Sequence, residues 1–351
     1  MSIGKRIKSA RIIAGSSQRD LANRAEVSAM AISKYERDMD TPGSAVLLRL
    51  ADALSVNIEY FFRPTTVTFS SPTYRKRASL PALEDASILE RIQEWLERYL
   101  DIESLLNRAS TFTLPPPQRI EIMEEIESAA LALRKQWCLG LDPIENLMEV
   151  CEDHGIKIGL VDGHPDFDAV TLQANDTIPV IALRRDMPGD RQRFCLAHEL
   201  GHLILQPIEH IDAEKAAHRF AGALLAPCST VELELGTKRH TIGLNELYLL
   251  KCKYGLSMQA WIYRAKDLNI LSETDAIQLF KYFRQRGWNR KEPGNPLSSE
   301  IPQRFERLVM HALCEDIISQ TRAAELLAMP LEQFLGGDVE RYGGFSIDMC
   351  S

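Results

Sequence analysis

The pattern that most constrains this chain is HELGH at 198–202, set in the otherwise apolar run 194–205. In a helix, side chains four residues apart lie on one face, so the imidazoles of His198 and His202 can reach a single metal ion. Glu199 follows the first histidine and can accept a proton from a water molecule that the metal activates. Two alternatives stay open: a structural helix that carries the pattern by chance, and a degraded site that binds zinc without cutting.

A catalytic zinc site needs a third protein ligand and one open position. The segment 214–227 has a second amphipathic helical pattern, in which Glu214 and His218 share a face. Either side chain could complete the site, and Zn²⁺ is the expected cofactor.

The N-terminal 80 residues are basic, although the whole chain has a formal net charge of −8. They contain 13 lysines and arginines against 7 aspartates and glutamates, so the rest of the chain carries −14. A basic segment attached to an acidic body is typical of a DNA-binding module joined to a domain of another kind.

Two short helices with a tight turn between them are predicted within this basic segment. Ser17 caps the first helix with support from Asp20, the turn covers 25–27, and Ser28 caps the second helix. Ile32 should face the core. The opposite face should enter the major groove of DNA, and it carries Ala29, Met30, Ser33 and Lys34.

Residues 4–62 resemble the Xre/Cro/CI family of helix-turn-helix repressors, most specifically through ISKYER at 32–37 and LADAL at 50–54. The resemblance implies operator DNA as a partner and a contact between Gln18 and a phosphate. The alternative is a five-helix protein-interaction domain of similar pattern, but the basic charge favours DNA. The predicted DNA-binding residues are Gln18, Ser28, Ala29, Met30, Ser33, Lys34 and Arg37.

The segment from about residue 142 to residue 227 resembles the ImmA/IrrE family of zinc metallopeptidases, and the resemblance continues more loosely to residue 271. It rests on HELGH and on EKAAHRFAGALLAP at 214–227. It implies that the metal ligands are His198, His202 and Glu214 and that the general base is Glu199. The family usually has asparagine where this chain has His218. His218 is therefore a second candidate catalytic residue, as a partner of a ligand, an oxyanion donor or an extra ligand.

The predicted fold class is multidomain and mainly α. It combines an all-α helix-turn-helix head, an α+β zincin-like metallopeptidase domain with a small β-sheet, and a helical C-terminal region. The predicted boundaries are 1–64 for the head, 65–80 for a basic linker, 81–140 for a helical connector, 141–271 for the metallopeptidase domain and 272–351 for the C-terminal region.

Apolar spacing also predicts the individual elements. A helical stripe at 88–106 is either a dimer surface or packs on the metallopeptidase domain, and 318–327 is either half of a second helix-turn-helix or a packing helix. The tail at 343–351 is Gly-rich and then apolar, as in a segment that inserts into a groove. Further helices are expected at 119–137, 142–154, 190–205, 212–226, 243–286 and 301–335, and strands at 156–161, 169–172 and 178–183.

The N-terminus lacks the apolar core of a signal peptide, no run reaches the ~18 apolar residues of a membrane span, and the 7 cysteines form no CxxC pair. These features favour a cytoplasmic protein without a membrane partner.

The leading hypothesis is a transcriptional regulator that represses an operon, with a zinc endopeptidase domain that cleaves the chain itself or a related regulator, or senses a signal. The alternative is an antitoxin of a toxin–antitoxin or phage-defence operon, which needs no proteolysis. The expected partners are operator DNA, a protein substrate or cognate toxin, and a second copy in a homodimer.

Overall fold

The structure is a computed structural model that describes residues 2–70, 81–110 and 113–336. Its first elements form the head, which contains α1 (Ile3–Ile13), α2 (Gln18–Arg24), α3 (Ala29–Glu36), α4 (Ser44–Leu54) and a 3₁₀ helix (Ile58–Phe62). Both predicted caps are confirmed, because the hydroxyls of Ser17 and Ser28 accept backbone N–H groups of the first turns of α2 and α3. The chain turns between these helices at Glu26, whose φ is 54°. Ile32 is fully buried, as expected.

The predicted helical stripe is confirmed as the buried face of α5 (Ala82–Leu105). This face packs against α1, the central sheet and the C-terminal helices, and it consists of Ile88, Ile92, Leu96, Tyr99 and Ile102. The stripe is therefore covered within the chain itself, so the option that it forms a dimer surface is wrong.

The head is also joined to α5 by arginines. Arg6 Nη2 lies 2.6 Å from Glu97 Oε2, and both side chains are about nine-tenths buried or more. Arg91 Nη2 donates to the Ile13 carbonyl at 2.9 Å. Breaking a buried charge pair leaves an unpaired charge out of water, which is costly. These contacts therefore hold the head in one position against α5.

The three predicted strands are confirmed as β3 (Lys157–Val161), β4 (Ala169–Ala174) and β5 (Ile178–Arg184). They form a sheet of order β1-β4-β5-β3, in which β4 is antiparallel to β5 and β3 is parallel to β5. The remaining strand, β1 (Phe69–Ser70), comes from the segment predicted as a linker and pairs with the end of β4. The basic cluster at 75–77 lies outside the described residues.

The predicted helix at 119–137 is shorter than expected, because its beginning forms a strand. Helix α6 covers Glu125–Gln136, whereas β2 (Gln118–Ile120) pairs in parallel with β6 (Leu205–Pro207). This pairing joins residues that are far apart in sequence, so the local apolar spacing carried no sign of it.

The predicted start of the next helix, at Asp142 and Pro143, is wrong. Helix α7 covers Leu147–Asp153, and the side chain of Asn146 caps it by accepting the backbone N–H of Glu149. The backbone carbonyls before α7 accept hydrogen bonds from side chains. Arg134 donates to the carbonyls of 140 and 142, and Arg193 donates to those of 144 and 145. These side-chain hydrogen bonds stabilise the segment in the non-helical conformation that it adopts.

The remaining elements are helical and include the two helices of the metal motif, α8 (Gly189–Ile204) and α9 (Ala213–Leu225). No helix in the described part of the chain is long and apolar enough to cross a membrane. The tail at 343–351 lies outside the described residues. The C-terminal half continues with α10 (Cys228–Leu235), α11 (Leu244–Tyr254), α12 (Met258–Asp267), α13 (Glu273–Gln285), α14 (Arg304–Cys314), α15 (Gln320–Leu326) and α16 (Leu331–Leu335).

The segment 318–327 contains α15, which begins at its Ser319 cap and buries Ala323, Ala324 and Leu326 in a cluster with α5 and α14. Ala328 has a φ of 54° and is followed by α16, so helix, turn and helix do follow one another here. The packing role expected for this segment is confirmed by the burial of its apolar face.

A long loop, here called the strap (residues 288–303), runs over the beginning of α8. The Leu297 carbonyl accepts the N–H of Gly189, and Ser299 Oγ donates to the Met187 carbonyl. Glu300 accepts from the guanidinium of Arg193 and from the backbone N–H of Met148. The strap thus ties the C-terminal region to α7 and α8.

Replacing Glu300 by alanine should destabilise the protein by about 3 kcal/mol, because the buried Arg193 then loses its partner carboxylate. Urea unfolding followed by far-ultraviolet circular dichroism would measure the change. The matched control is Glu315→Ala, at an exposed position, which should change the free energy of unfolding by less than about 0.5 kcal/mol. Equal stability of the two variants would contradict the role given to the strap.

Candidate metal centre and DNA-binding surface

The candidate metal centre lies where α8 and α9 cross at close range. A Cβ atom on Gly201 would stand 3.2 Å from the Cα of Ala217 and 3.1 Å from the ring of Phe220, so only glycine fits without displacement. At the start of α9, Asp212 accepts the backbone N–H groups of Glu214 and Lys215. Cap and crossing together bring the first turn of α9 to the histidines of α8.

The three predicted ligands come together in this arrangement. The Nε2 atoms of His198 and His202 are 3.1 Å apart, and the carboxylate oxygens of Glu214 lie 3.3 Å and 3.5 Å from them. Ligand atoms bound at 2.0–2.1 Å to a tetrahedral zinc ion stand about 3.4 Å from one another. The donor set and its spacing therefore fit a zinc ion, with one position left for water or substrate. The role of these residues as ligands remains a prediction.

Burial sets the protonation of His198. It lowers the pKa of this imidazole to about 4, with further lowering from His218 and His202 and an opposite effect from Glu214. The ring is therefore neutral near pH 7, which is the form that ligates metals. Its Nδ1 atom is buried and has no hydrogen-bond partner in the described chain, so the contacts of this ring with the other two ligands are all made by Nε2.

The predicted general base, Glu199, lies beside the ligands and is not one of them. Its Oε2 atom accepts a hydrogen bond from the hydroxyl of Thr171 on β4, at 2.7 Å. Both residues line the same cleft as the three ligands. A carboxylate at this place can take up a proton next to the metal position.

The cleft has a volume of about 730 Å³ and is bounded on one side by β4. The N–H of Arg184 on β5 donates to the Asp168 carbonyl at 2.9 Å. Backbone groups of an antiparallel strand alternate in direction, so those of Ala169 and Thr171 point away from β5, to the cleft side. No described strand pairs with β4 at these two residues.

His218 lies next to the ligands but outside their group. Its ring contacts the ring of His198 edge to face, with the centroids 4.4 Å apart, and its Nδ1 atom is 2.7 Å from the Glu214 carbonyl. Because a carbonyl only accepts, Nδ1 donates in this contact. The two contacts place His218 against His198 and the first turn of α9, and its role remains a prediction.

The predicted DNA-binding residues lie on one side of the head. Ser28, Ala29, Met30, Lys34 and Arg37 are exposed, and Ser33 is half-buried. The amide of Gln18 donates to Glu36 at 2.7 Å, so one of its hydrogens is used within the head. The guanidinium of Arg37 folds back on Ser33, which it contacts at 3.0 Å and 3.1 Å. Their contacts with DNA remain predictions.

Two features of the cleft were missed by the sequence analysis. One is Thr171, whose strand was predicted but whose partner on α8 was not. The other is the ion pair of Arg191 with Asp168, at 2.7 Å, in the lining of the cleft. A β-strand followed by a helix gives no local signal of which hydroxyl faces which carboxylate, because the contact depends on how the two elements pack.

Comparison with known proteins bears on both halves of the chain. Residues 7–61 match the helix-turn-helix family, and residues 151–266 match the peptidase family described as the IrrE N-terminal-like domain. The chain is also similar to the HTH-type transcriptional regulator ImmR of Bacillus subtilis (strain 168), with 34% identity over 73 residues. That match covers 21% of this chain and 58% of ImmR, less than two thirds of that relative's length. No solved structure matches the chain. Both predicted resemblances are confirmed.

Removing one ligand should affect zinc binding far more than removing His218. Glu214→Ala leaves two protein ligands and should weaken zinc binding more than a hundredfold, whereas His218→Ala should weaken it by about tenfold or less, as for a group behind a ligand. Titration with a competing chelator measures both affinities. An equal loss in the two variants would instead make His218 a ligand.

Lys34 makes no ion pair with the described residues and should contact a DNA phosphate. Lys34→Ala should weaken binding to a random-sequence duplex and reduce the slope of log affinity against log salt by about 1. Fluorescence anisotropy at several salt concentrations measures the slope. Lys281→Ala removes an exposed cation from α13 and serves as the control; an identical slope in both variants would exclude Lys34 from the interface.

Proposed function

We propose that this chain, which carries a helix-turn-helix domain and an IrrE N-terminal-like domain, is a DNA-binding transcriptional regulator with a zinc-dependent endopeptidase activity. The observation that carries the proposal is the approach of the two histidine Nε2 atoms and the two Glu214 carboxylate oxygens to 3.1–3.5 Å, with Glu199 in the same cleft. A structural zinc site would be closed by four protein ligands. Three ligands, an adjacent base and an open cleft fit a catalytic site better.

In this proposal, different residues of the cleft bind the metal ion and transfer the proton during peptide hydrolysis. A zinc ion bound by His198, His202 and Glu214 would supply Lewis acidity to a water molecule and to the scissile carbonyl. Glu199 accepts the proton of the attacking water and delivers it to the leaving amine, so that the carboxylate is regenerated. The apolar residues around α8 limit the access of bulk water, which strengthens these electrostatic effects.

The side of β4 that faces away from β5 supports a protein as the substrate. An extended peptide can add to a sheet edge through main-chain hydrogen bonds, with little dependence on its sequence. Ala169 and Thr171 offer such groups along the wall of the cleft. The peptide would then run past the proposed base and the three ligands, where its backbone can be cut.

The head supports the regulatory part of the proposal. The second helix of its helix-turn-helix, α3, is exposed along the predicted DNA-binding side. The metal-binding part of the described chain does not cover this side. We infer that the chain represses an operon through this surface, in the cytoplasm, as a homodimer formed by a surface other than the α5 stripe. Cleavage of the chain itself or of a related regulator would then change the repression.

The decisive variant is Glu199→Gln, which removes the base and keeps the three ligands. It should bind one zinc ion per chain, as measured by mass spectrometry of the metal content, and it should lose cleavage at least about a hundredfold. The assay incubates zinc-loaded full-length protein alone and with the product of the adjacent gene, and detects fragments by mass spectrometry. Cleavage that persists in the variant would sink the mechanism. The antitoxin function would be favoured by a different result. In that case the Glu199→Gln variant and the zinc-free protein would both still repress the operon and bind a toxin.

A further inference from the structure

Thr171 connects the two parts of the cleft that catalysis would need to coordinate. Its side chain lies on the α8 side of β4, where Oγ1 donates to Glu199 Oε2 at 2.7 Å and lies 3.4 Å from the Glu199 carbonyl. Its backbone groups point to the side of the same strand that faces away from β5. Thr171 thus contacts the proposed base through its side chain and lies next to the proposed peptide-binding position through its backbone.

We propose that Thr171 is a positioning residue that orients the carboxylate of Glu199 and couples this orientation to the seating of a peptide on β4. The inference rests on the proposed function. It assigns a role to a residue of the sheet, whereas the ligands and the base all come from α8 and α9.

The need for orientation follows from the freedom of a glutamate side chain. The last torsion of glutamate is broad, so a carboxylate without a donor rotates over a wide range. A hydrogen bond from a hydroxyl to a charged carboxylate is one of the stronger hydrogen bonds in proteins. It fixes the plane of the carboxylate and its distance from the ligands. Proton transfer needs the base within hydrogen-bond reach of the water, so loss of this orientation lowers the rate of the chemical step.

The coupling to the substrate follows from the position of the donor. The Thr171 hydroxyl moves with β4, and β4 is held on the far side by its ladder with β5. A peptide that pairs with the near side completes the hydrogen bonds of this strand and restrains it further. The hydroxyl would then be held most firmly when a substrate is present. A donor on α8 itself would not respond to the peptide in this way.

The test compares Thr171→Val, which keeps the shape and removes the hydroxyl, with Thr171→Ser, which keeps the hydroxyl. Thr177→Val is the matched control, because among the described residues its hydroxyl donates to the turn carbonyl of Asn175 and not to the cleft. Two readouts are used on the zinc-loaded full chain. The first is hydrolysis of fluorescein-labelled casein, an unfolded protein; the second is the binding of acetohydroxamate by calorimetry. Acetohydroxamate chelates a metal ion and shares its hydroxyl proton with a neighbouring carboxylate, so its affinity reports on Glu199 without turnover.

Thr171→Val should lower kcat about ten- to a hundredfold, with KM changed less than about threefold, and weaken acetohydroxamate binding about tenfold. Thr171→Ser should stay within about threefold of the unmodified protein in both readouts. Zinc content and thermal stability should be the same in all variants.

Unchanged kcat and acetohydroxamate affinity in Thr171→Val would overturn the proposal. So would equal losses in Thr171→Val and Thr171→Ser, since they would assign the effect to packing of the methyl group. Absence of casein hydrolysis by the unmodified protein counts against the peptidase function alone; the role of Thr171 is then decided by acetohydroxamate affinity.

Discussion

The metal centre depends on the close contact between α8 and α9. The two helices approach so closely at Gly201 that a side chain there would meet the backbone of Ala217. The histidines belong to one helix and Glu214 to the other, so the distance between the helix axes sets the distance between nitrogen and oxygen ligands. If the axes of α8 and α9 were slightly further apart, the Glu214 carboxylate would no longer reach an ion bound by the two histidines. Gly201, the fourth residue of HELGH, is thus as much a part of the site as the polar residues of the motif.

Helix α8 is fixed at its beginning by charges as well as by the helix crossing further along. Lys251 is almost fully buried between Asp190, on the first turn of α8, and Glu292 of the strap, at 2.8 Å and 2.9 Å. The same Glu292 accepts the first N–H groups of α12. Buried arginines and lysines thus take the place of apolar packing where loops meet helices. A metal site gains from such a frame, because ligands on a rigid element keep their geometry.

The spacing of neighbouring residues correctly predicted the elements that depend on neighbouring residues. The apolar spacing of 88–106, the apolar run at 169–172 and the serine caps of the head each gave the correct element, since these signals depend on neighbouring residues. The pairing of 118–120 with 205–207 and the late start of α7 were missed, since they depend on a distant strand and on the side chains of Arg134 and Arg193. The three ligand candidates could be proposed from the motif and the family resemblance together, whereas Thr171 could be found only after the sheet was placed over α8.

The position of α5 has a consequence for how the chain unfolds. Its residues belong to the core under the sheet and to the core with α14 and α15, while Glu97 and Arg91 hold the head. Opening any one of these regions exposes apolar surface of the same helix, so their free energies of opening are not independent. We therefore expect the head, the sheet side and the cluster of α14 and α15 to open together.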